Sequence, residues 1–206
     1  MIESIFSRSI FILILLVVAW PVNLALAAED RPRVVMLGDS LTAGFNWAAH
    51  LPQAVVDNQG ISGDTTKQIR ARLDKVIEAK PDLIFLQAGI NDLGGQRREG
   101  AIMEGHWAIW KTLKSELPGV RIHLISLLPV SERRYPGWNR KIEDLNHLLR
   151  NAAEGQGFAF IDLFPLLIDQ GGQLAPKYTY DGLHLTAEGY AVWLGALKPY
   201  LPPVTR

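Results

Sequence analysis

Two short polar segments hold side chains whose types suit nucleophilic catalysis. Ser40 stands in the segment 38–42, and its hydroxyl could act as a nucleophile if a general base lies near. Asp181 and His184 are three residues apart, so the carboxylate could hold the imidazole Nδ1–H and leave Nε2 free as that base. Each feature alone has a plainer interpretation, a turn serine and a polar loop. The G-x-S-x-G elbow of α/β-hydrolases is absent, which argues against that class of enzyme.

Two further segments offer hydrogen-bond donors for the negative charge that such a reaction places on a carbonyl oxygen. Asn91, in the segment 89–92, could aim its side-chain amide at an oxyanion. Gly63, in the segment 60–66, precedes a predicted helix and could offer its backbone N–H. The alternatives are ordinary, namely a turn or helix cap for Asn91 and a strand-to-helix turn for Gly63. A phosphate-binding loop is disfavoured because the Walker lysine and the G-x-G-x-x-G spacing are both missing.

Five short apolar runs predict the strands that position these segments. They lie at Arg33–Leu37, Ala54–Asp57, Asp82–Gln87, Arg121–Leu128 and Phe158–Leu163. Runs that are apolar on both faces suit parallel strands covered by helices. Patterns with helical spacing lie between and after them, at Asp64–Ala79, Ala101–Leu117, Trp138–Glu154 and Thr186–Leu201.

The alternation of strands and helices predicts the α/β class. We expect a three-layer α/β/α sandwich around a five-stranded parallel sheet, doubly wound in the flavodoxin-like order 2-1-3-4-5. In such folds the ligand crevice lies past the carboxyl ends of the strands, near the switch between strands 1 and 3. Ser40 follows strand 1 and Asn91 follows strand 3, so the sequence predicts that both lie at this crevice.

The ordered set of segments resembles the SGNH hydrolases of the GDSL esterase–lipase superfamily. The family's blocks match GDSL at 38–41, the glycine at 63, GIND at 89–92 and DGLH at 181–184. The resemblance implies that Ser40 is the acyl-accepting nucleophile, His184 the general base and then acid, and Asp181 its orienting partner. It also implies an oxyanion hole formed by the backbone amides of Ser40 and Gly63 and the side chain of Asn91.

A finer similarity is to one branch of this family, the catalytic subunits of platelet-activating-factor acetylhydrolase and sialate O-acetylesterase-like bacterial proteins. It is carried by GISGDTT (60–66), QAGINDL (87–93), SLLPV (126–130) and YDGLHLTAEGY (180–190). It implies a serine esterase that acts without a cofactor on acetyl or other short acyl esters of small molecules, carbohydrates or lipids. Two alternatives stay open: a lysophospholipase or thioesterase that acts on longer chains, and an O-acetyltransferase on an exported polysaccharide.

Aromatic side chains near the predicted crevice are candidates for substrate contact. Trp47 follows the nucleophile segment. Tyr135 and Trp138 end the loop after strand 4, which we expect to form a rim of the site. We expect three further tryptophans, in helical patterns, to lie in the core: Trp107, Trp110 and Trp193.

The composition narrows the classes of partner. The 21 basic and 21 acidic side chains give a formal net charge of zero, which argues against nucleic-acid binding. There is no cysteine, so disulfides and thiolate metal sites are excluded. The histidines show no mutual ligand spacing, and we expect no metal site.

Residues 1–27 have the pattern of a secretory signal peptide. Arg8 precedes the apolar run Ile10–Trp20, and Ala25-Leu26-Ala27 forms an A-x-A cleavage site. Cleavage would leave residues 28–206 as one SGNH hydrolase domain. The alternative is an uncleaved membrane anchor at 10–28, which would be the protein's one membrane contact. In both cases we expect the domain outside the cytoplasmic membrane, periplasmic or secreted.

Overall fold

Residues 31–201 are the part of the chain that a computed structural model of the protein describes. Its strands are β1 (Arg33–Gly38), β2 (Val55–Gly60), β3 (Leu83–Leu86), β4 (Arg121–Ile125) and β5 (Ala159–Ile161). The predicted signal peptide at 1–27 lies outside the described residues. Within those residues, no helix combines the length and apolar character that crossing a membrane requires.

The five strands form one parallel sheet in the order β2-β1-β3-β4-β5. The predicted fold class and strand order are therefore confirmed. Leu37 of β1 pairs with Gln59 of β2 on one side and with Leu86 of β3 on the other. Because these three strands end at the same level, the segments that follow them meet at one edge of the sheet, which we call the carboxyl edge.

Helices follow each strand and cover the sheet. They are α1 (Ser40–Ala43), α2 (Trp47–His50), α3 (Thr66–Ala71), α4 (Leu73–Glu78), α5 (Ile90–Gly94), α6 (Glu99–Glu116), α7 (Trp138–Gly155), α8 (Phe164–Leu167) and α9 (Ala187–Leu197). Thr186 caps α9, since its hydroxyl accepts the backbone N–H of Gly189. All four residues of β3 are buried, as expected for a central strand covered on both faces.

The tryptophans of the helices do not all lie in the core. Trp110 and Trp193 are buried as predicted, but Trp107 is 42% exposed. The buried stripe of α6 includes His106, Ile109 and Trp110, and Trp107 stands about 100° around the helix from its neighbour His106. Trp107 therefore contacts only the edge of that stripe, with its ring centroid 5.0 Å from that of Trp110.

The helix predicted over 64–79 is broken at Arg72, between α3 and α4. At this break the Arg72 guanidinium turns towards the carboxyl edge. Its Nη2 donates to the carbonyls of Gly38 (3.0 Å) and Gln59 (2.9 Å), and its Nε donates to Asp64 (2.6 Å). The helical spacing of the apolar residues continues across the break, so their pattern gives no sign of it.

Candidate active site

Ser40 begins α1 directly after the end of β1. Asp39 caps this short helix, because its Oδ1 accepts the backbone N–H of Leu41 at 2.9 Å. The cap fixes the turn from strand to helix and presents Ser40 at the carboxyl edge. There the Ser40 Oγ lies 3.0 Å from His184 Nε2.

The turn at 179–184 holds His184 through its second ring nitrogen. Nδ1 lies 2.7 Å from Asp181 Oδ2. Asp181 Oδ1 accepts the backbone N–H groups of Leu183 (2.9 Å) and His184 (2.8 Å). The Thr179 hydroxyl donates to the His184 carbonyl and accepts the Gly182 N–H, which closes the turn. The carboxylate is thus fixed by the backbone of the residue that it orients.

Asp181 is suited to remain ionised. Its partial burial raises its pKa, but hydrogen bonds from the His184 side chain and from the backbone N–H groups of His184 and Leu183 outweigh this and leave the pKa below its usual value. A carboxylate beside Nδ1 favours the imidazole tautomer with the proton on Nδ1. In that tautomer Nε2 is an acceptor for the Ser40 hydroxyl.

Asn91 and Gly63 lie at the same edge, after β3 and β2. The Asn91 Nδ2 donates to the carbonyl of Asp64 at 3.0 Å, which joins α5 to the segment that contains Gly63. Gly63 has a φ of +84°, a left-handed conformation that favours glycine. An alanine Cβ at this position would meet no atom within 4 Å, so the space beside Gly63 is open. The glycine is therefore favoured by its positive φ and not by a lack of room.

Two acidic residues that we did not assign to the site connect its segments. Asp64 pairs with Arg72, whose other bonds reach the ends of β1 and β2. Asp92 is buried and accepts both the backbone N–H and the hydroxyl of Thr66, each at 2.8 Å. In the sequence, each of these carboxylates is visible only as an acidic residue within a polar segment. Their partners, Arg72 and Thr66, are not indicated by that segment's sequence.

Asp39 is a further acidic residue beside Ser40, and no sequence pattern indicated a role for it. Its side chain is completely buried, and Oδ2 has no hydrogen-bond partner among the described residues. Burial raises its pKa to about 7, while the Leu41 N–H and nearby His184 lower it and Asp64 raises it further. A carboxyl group with a pKa near neutral therefore stands next to Ser40 in the chain, in contrast to Asp181.

The loop 131–137 after β4 lies beside the His184 turn. The Ser131 N–H donates to the Gly182 carbonyl at 2.8 Å. Tyr135 and Trp138 form an aromatic pair with ring centroids 4.9 Å apart. A Cβ added at Gly94 of α5 would lie 3.4 Å from Trp138, so this ring reaches the helix that carries Asn91.

The expectation that Trp47 contacts substrate is wrong. Its side chain is completely buried, and Nε1 donates to the Thr42 carbonyl at 2.7 Å. Its ring packs edge-on against Phe45 and Trp193 in the core. An aromatic residue that we did not single out, Tyr180, is 72% exposed, and its ring lies nearly parallel to that of His184 with centroids 6.0 Å apart.

Comparison with known proteins agrees with this geometry. The model of the family described as "GDSL-like Lipase/Acylhydrolase family" matches residues 36–192, which includes all the segments above. The chain belongs to the GDSL-like lipase/acylhydrolase family. As a GDSL acylhydrolase with acetylhydrolase relatives, it is a carboxylic ester hydrolase.

Individual relatives of this GDSL acylhydrolase cover most of its length. Platelet-activating factor acetylhydrolase IB subunit alpha1 of Homo sapiens is 28% identical over 180 residues, 84% of this chain and 77% of the relative. A Streptococcus pneumonia structure named for platelet activating factor has a TM-score of 0.76 and 31% identity, covering 87% of this chain and 88% of its own. A GDSL-like lipase from Bacteroides thetaiotaomicron VPI-5482 has a TM-score of 0.71 and 28% identity, covering 87% and 93%.

The described part of this GDSL acylhydrolase contains no group of three His, Asp or Glu side chains placed to hold a metal ion. Surface cavities of about 460 Å³ and 170 Å³ are lined by residues at the amino ends of β4 and β5 and by residues of α7 and α8. Ser40, Asp181 and His184 line neither of them.

Proposed function

We propose that the protein is a serine esterase that removes acetyl and other short acyl groups from ester substrates. The observation that carries this proposal is the unbroken series of contacts from Ser40 Oγ to His184 Nε2 (3.0 Å) and from His184 Nδ1 to Asp181 (2.7 Å). These are the contacts by which a base activates a hydroxyl and a carboxylate orients the base.

In the first half of the reaction, Ser40 Oγ attacks the ester carbonyl and its proton passes to His184 Nε2. The oxygen of the former carbonyl becomes an oxyanion, which the backbone N–H groups of Ser40 and Gly63 and the Asn91 amide are proposed to bind. The ester C–O bond then breaks, and His184 gives its proton to the departing alcohol. The products of this half are the free alcohol and an acyl group on Ser40.

In the second half, water takes the place of the alcohol. His184 Nε2 removes a proton from the water as its oxygen attacks the acyl carbon. Collapse of the second oxyanion breaks the bond to Ser40 Oγ, which takes the proton back from His184 and releases the carboxylic acid. Asp181 stays ionised throughout and stabilises the imidazolium that forms in each half.

The preference for short acyl groups rests on the similarity to an acetylhydrolase subunit, which extends over 84% of the chain.

Tyr135 and Trp138 are proposed to contact the substrate from the rim. Their rings pair at 4.9 Å, and Trp138 reaches α5, the helix of Asn91. Exchange of each for alanine is expected to raise KM more than it lowers kcat, because the rim is not part of the reacting groups. Unchanged KM for every ester tested would contradict this assignment.

We also propose that residues 1–27 direct export and that residues 28–206 act outside the cytoplasmic membrane. The support is the basic, apolar and A-x-A pattern of the first 27 residues. Mass spectrometry of the exported protein tests this proposal. A mass that begins at Ala28 is expected, and a full-length protein found in the membrane fraction would favour the anchor.

The experiment that tests the esterase is hydrolysis of p-nitrophenyl acetate, butyrate and octanoate by the purified protein and by Ser40→Ala. We expect kcat/KM to be highest for acetate and activity to disappear in the variant. Activity that survives in Ser40→Ala would contradict the nucleophile, and a preference for octanoate would contradict the short acyl group. A folded wild-type protein that releases no p-nitrophenol from any of the three would contradict the esterase.

A further inference from the structure

An arginine of the rim loop begins beside the turn that carries the proposed base. Gly182 stands between Asp181 and His184, and its carbonyl accepts the Ser131 N–H at 2.8 Å. A Cβ placed on Gly182 would lie 2.8 Å from the Cβ of Ser131 and 3.3 Å from the Cβ of Arg134. Because Gly182 has no side chain, Ser131 and Arg134 can approach the His184 turn closely.

The Arg134 guanidinium is free to bind a group from outside the protein. The residue is exposed, and among residues 31–201 no carboxylate lies within 4.0 Å of it and no hydrogen bond uses its side chain. The acidic residue of the same loop, Glu132, accepts the Gly137 N–H at 2.7 Å. The carboxylate of Asp181 is held by the His184 ring and by two backbone N–H groups.

The position of Arg134 also tells which part of an ester it would meet. His184 must give its proton to the departing alcohol, so the alcohol part of the ester lies on the side of the His184 turn. The proposed oxyanion donors come instead from the segments after β1, β2 and β3. Arg134 adjoins Gly182 of the His184 turn, and it is therefore placed on the alcohol side of the bond that breaks.

We propose that Arg134 binds a carboxylate or phosphate group on the alcohol part of the substrate, which makes acyl esters of acidic alcohols the preferred substrate class. This inference rests on the proposed esterase function and names its substrate. A guanidinium presents a planar fork of donors that matches the two oxygens of either anion. Since the arginine has no acidic partner in the described part of the chain, binding the substrate breaks no existing ion pair.

Arg134 differs in position from the other exposed arginines that follow β3 and β4. The loops after β3 and β4 bear four exposed arginines for which no ion pair occurs among residues 31–201: Arg97, Arg98, Arg133 and Arg134. Of these, Arg134 is the one whose Cβ adjoins the His184 turn. The atoms nearest to a Cβ on Gly182 include none from Arg97, Arg98 or Arg133.

The test compares 3-acetoxybenzoate with its uncharged methyl ester, which carry the same acetyl group on the same ring. The measured quantity is the ratio of kcat/KM for the charged ester to kcat/KM for the neutral ester. In Arg134→Gln we expect this ratio to fall about fivefold, which is the effect expected from losing one favourable, solvent-exposed contact between opposite charges. In Arg134→Glu the ratio should fall further, because the new carboxylate repels the charged ester. The difference between wild type and Arg134→Gln should narrow in 0.5 M NaCl, because salt screens exposed charges.

Arg133→Gln is the matched control, since it removes the same charge from the next residue of the same loop. We expect it to change the ratio by much less than Arg134→Gln does. An unchanged ratio in Arg134→Gln, or an equal fall in Arg133→Gln, would overturn the inference. The acetyl ester of 3-hydroxyphenyl phosphate, run in parallel, separates the two anions: the ester with the larger loss in Arg134→Gln carries the preferred group.

The inference and the proposed function fail in different ways. If wild type hydrolyses the neutral ester and Ser40→Ala does not, the esterase stands whatever the charge ratio is. If neither ester is hydrolysed, or if Ser40→Ala retains activity, the proposed function fails and the assignment of Arg134 fails with it.

Discussion

The Tyr190 hydroxyl donates to the Leu41 carbonyl at 2.8 Å, although the two residues are 149 positions apart in the sequence. The bond connects the helix that carries Ser40 with the helix that follows His184. Leu41 follows Ser40 in α1, and Tyr190 lies in the first turns of α9, which begins just after the His184 turn. Tyr190 is buried, and its burial raises its pKa well above the usual value, so it stays a donor over the working range of pH. This buried hydrogen bond thus helps to hold Ser40 and His184 at a fixed distance.

Asp181→Asn should lower kcat for p-nitrophenyl acetate by roughly 10³- to 10⁴-fold. An asparagine keeps the size of the side chain but loses the negative charge that stabilises the imidazolium, and its amide can favour the wrong tautomer of His184. Asp144→Asn, on the exposed face of α7, is the control for the loss of one acidic charge. Asp181→Asn with more than a tenth of wild-type kcat would refute the role given to this carboxylate.

Asn91→Ala should lower kcat by about 10²- to 10³-fold and leave KM nearly constant, because an oxyanion donor acts mainly in the transition state. The rival role for Asn91 is structural, since its amide donates to the Asp64 carbonyl at 3.0 Å and joins α5 to the segment of Gly63. Steady-state kinetics together with the melting temperature separates the two roles. A lower melting temperature with an unchanged kcat would favour the structural one.

The sequence predicted the sheet and the segments of the site because both depend on local patterns. Short apolar runs that alternate with helical patterns identify a parallel sheet. The carboxyl ends of neighbouring parallel strands lie at the same edge of that sheet. Ser40 and Asn91 were therefore expected at the same edge, and the structure places them there. The Asp181–His184 contact was predictable for a similar reason, since a turn of three residues brings both side chains together.

What the sequence did not predict depends on residues that are distant along the chain. At the break between α3 and α4, the Arg72 side chain bonds to the ends of β1 and β2. Trp47 was expected to contact substrate because it follows the nucleophile segment, but it is covered by α9 through Trp193. Neither contact leaves a trace in the spacing of nearby residues, because each pairs elements that only the finished fold brings together.

Asp39→Asn should change how stability depends on pH. Burial raises the pKa of Asp39 from 3.8 to about 7, so between these values the folded protein holds a proton that the unfolded chain releases. The contribution of Asp39 to stability is therefore full below about pH 4 and is lost as pH rises to about 7, by on the order of 4 kcal/mol. Asparagine keeps an acceptor for the Leu41 N–H and carries no charge, so its contribution does not change with pH.

Urea unfolding of wild type and Asp39→Asn at pH 4.5, 6 and 8 measures this difference. The free energy of unfolding of the variant should rise relative to that of wild type as pH rises. Burying the unpaired amide of the variant lowers its free energy of unfolding by the same amount at every pH, so it does not change this trend. His106, whose burial lowers its pKa to about 4, has the opposite dependence, but it is present in both proteins and cancels in the comparison. Curves that stay parallel from pH 4.5 to 8 would show that Asp39 does not titrate in this range.

Two glycines of α6 should respond oppositely to replacement by alanine. A Cβ on Gly105 would lie 2.1 Å from the Thr66 Oγ1 and 2.6 Å from the Thr66 Cβ, whereas a Cβ on Gly100 would meet nothing within 4 Å. Thr66 is buried and cannot move aside without weakening its two bonds to Asp92. Gly105→Ala should therefore lower the free energy of unfolding by about 1–3 kcal/mol, even though alanine favours helix.

Gly100→Ala should instead raise the free energy of unfolding by up to about 1 kcal/mol, because it brings only the helix preference of alanine. The two variants also differ in their expected activity. The Thr66–Asp92 contact joins the start of α3 to α5, and displacement of Thr66 should move Asn91 and reduce kcat in Gly105→Ala alone. Equal stabilisation of both variants, with kcat unchanged in each, would mean that the Thr66–Asp92 contact yields to the added methyl group and does not position Asn91.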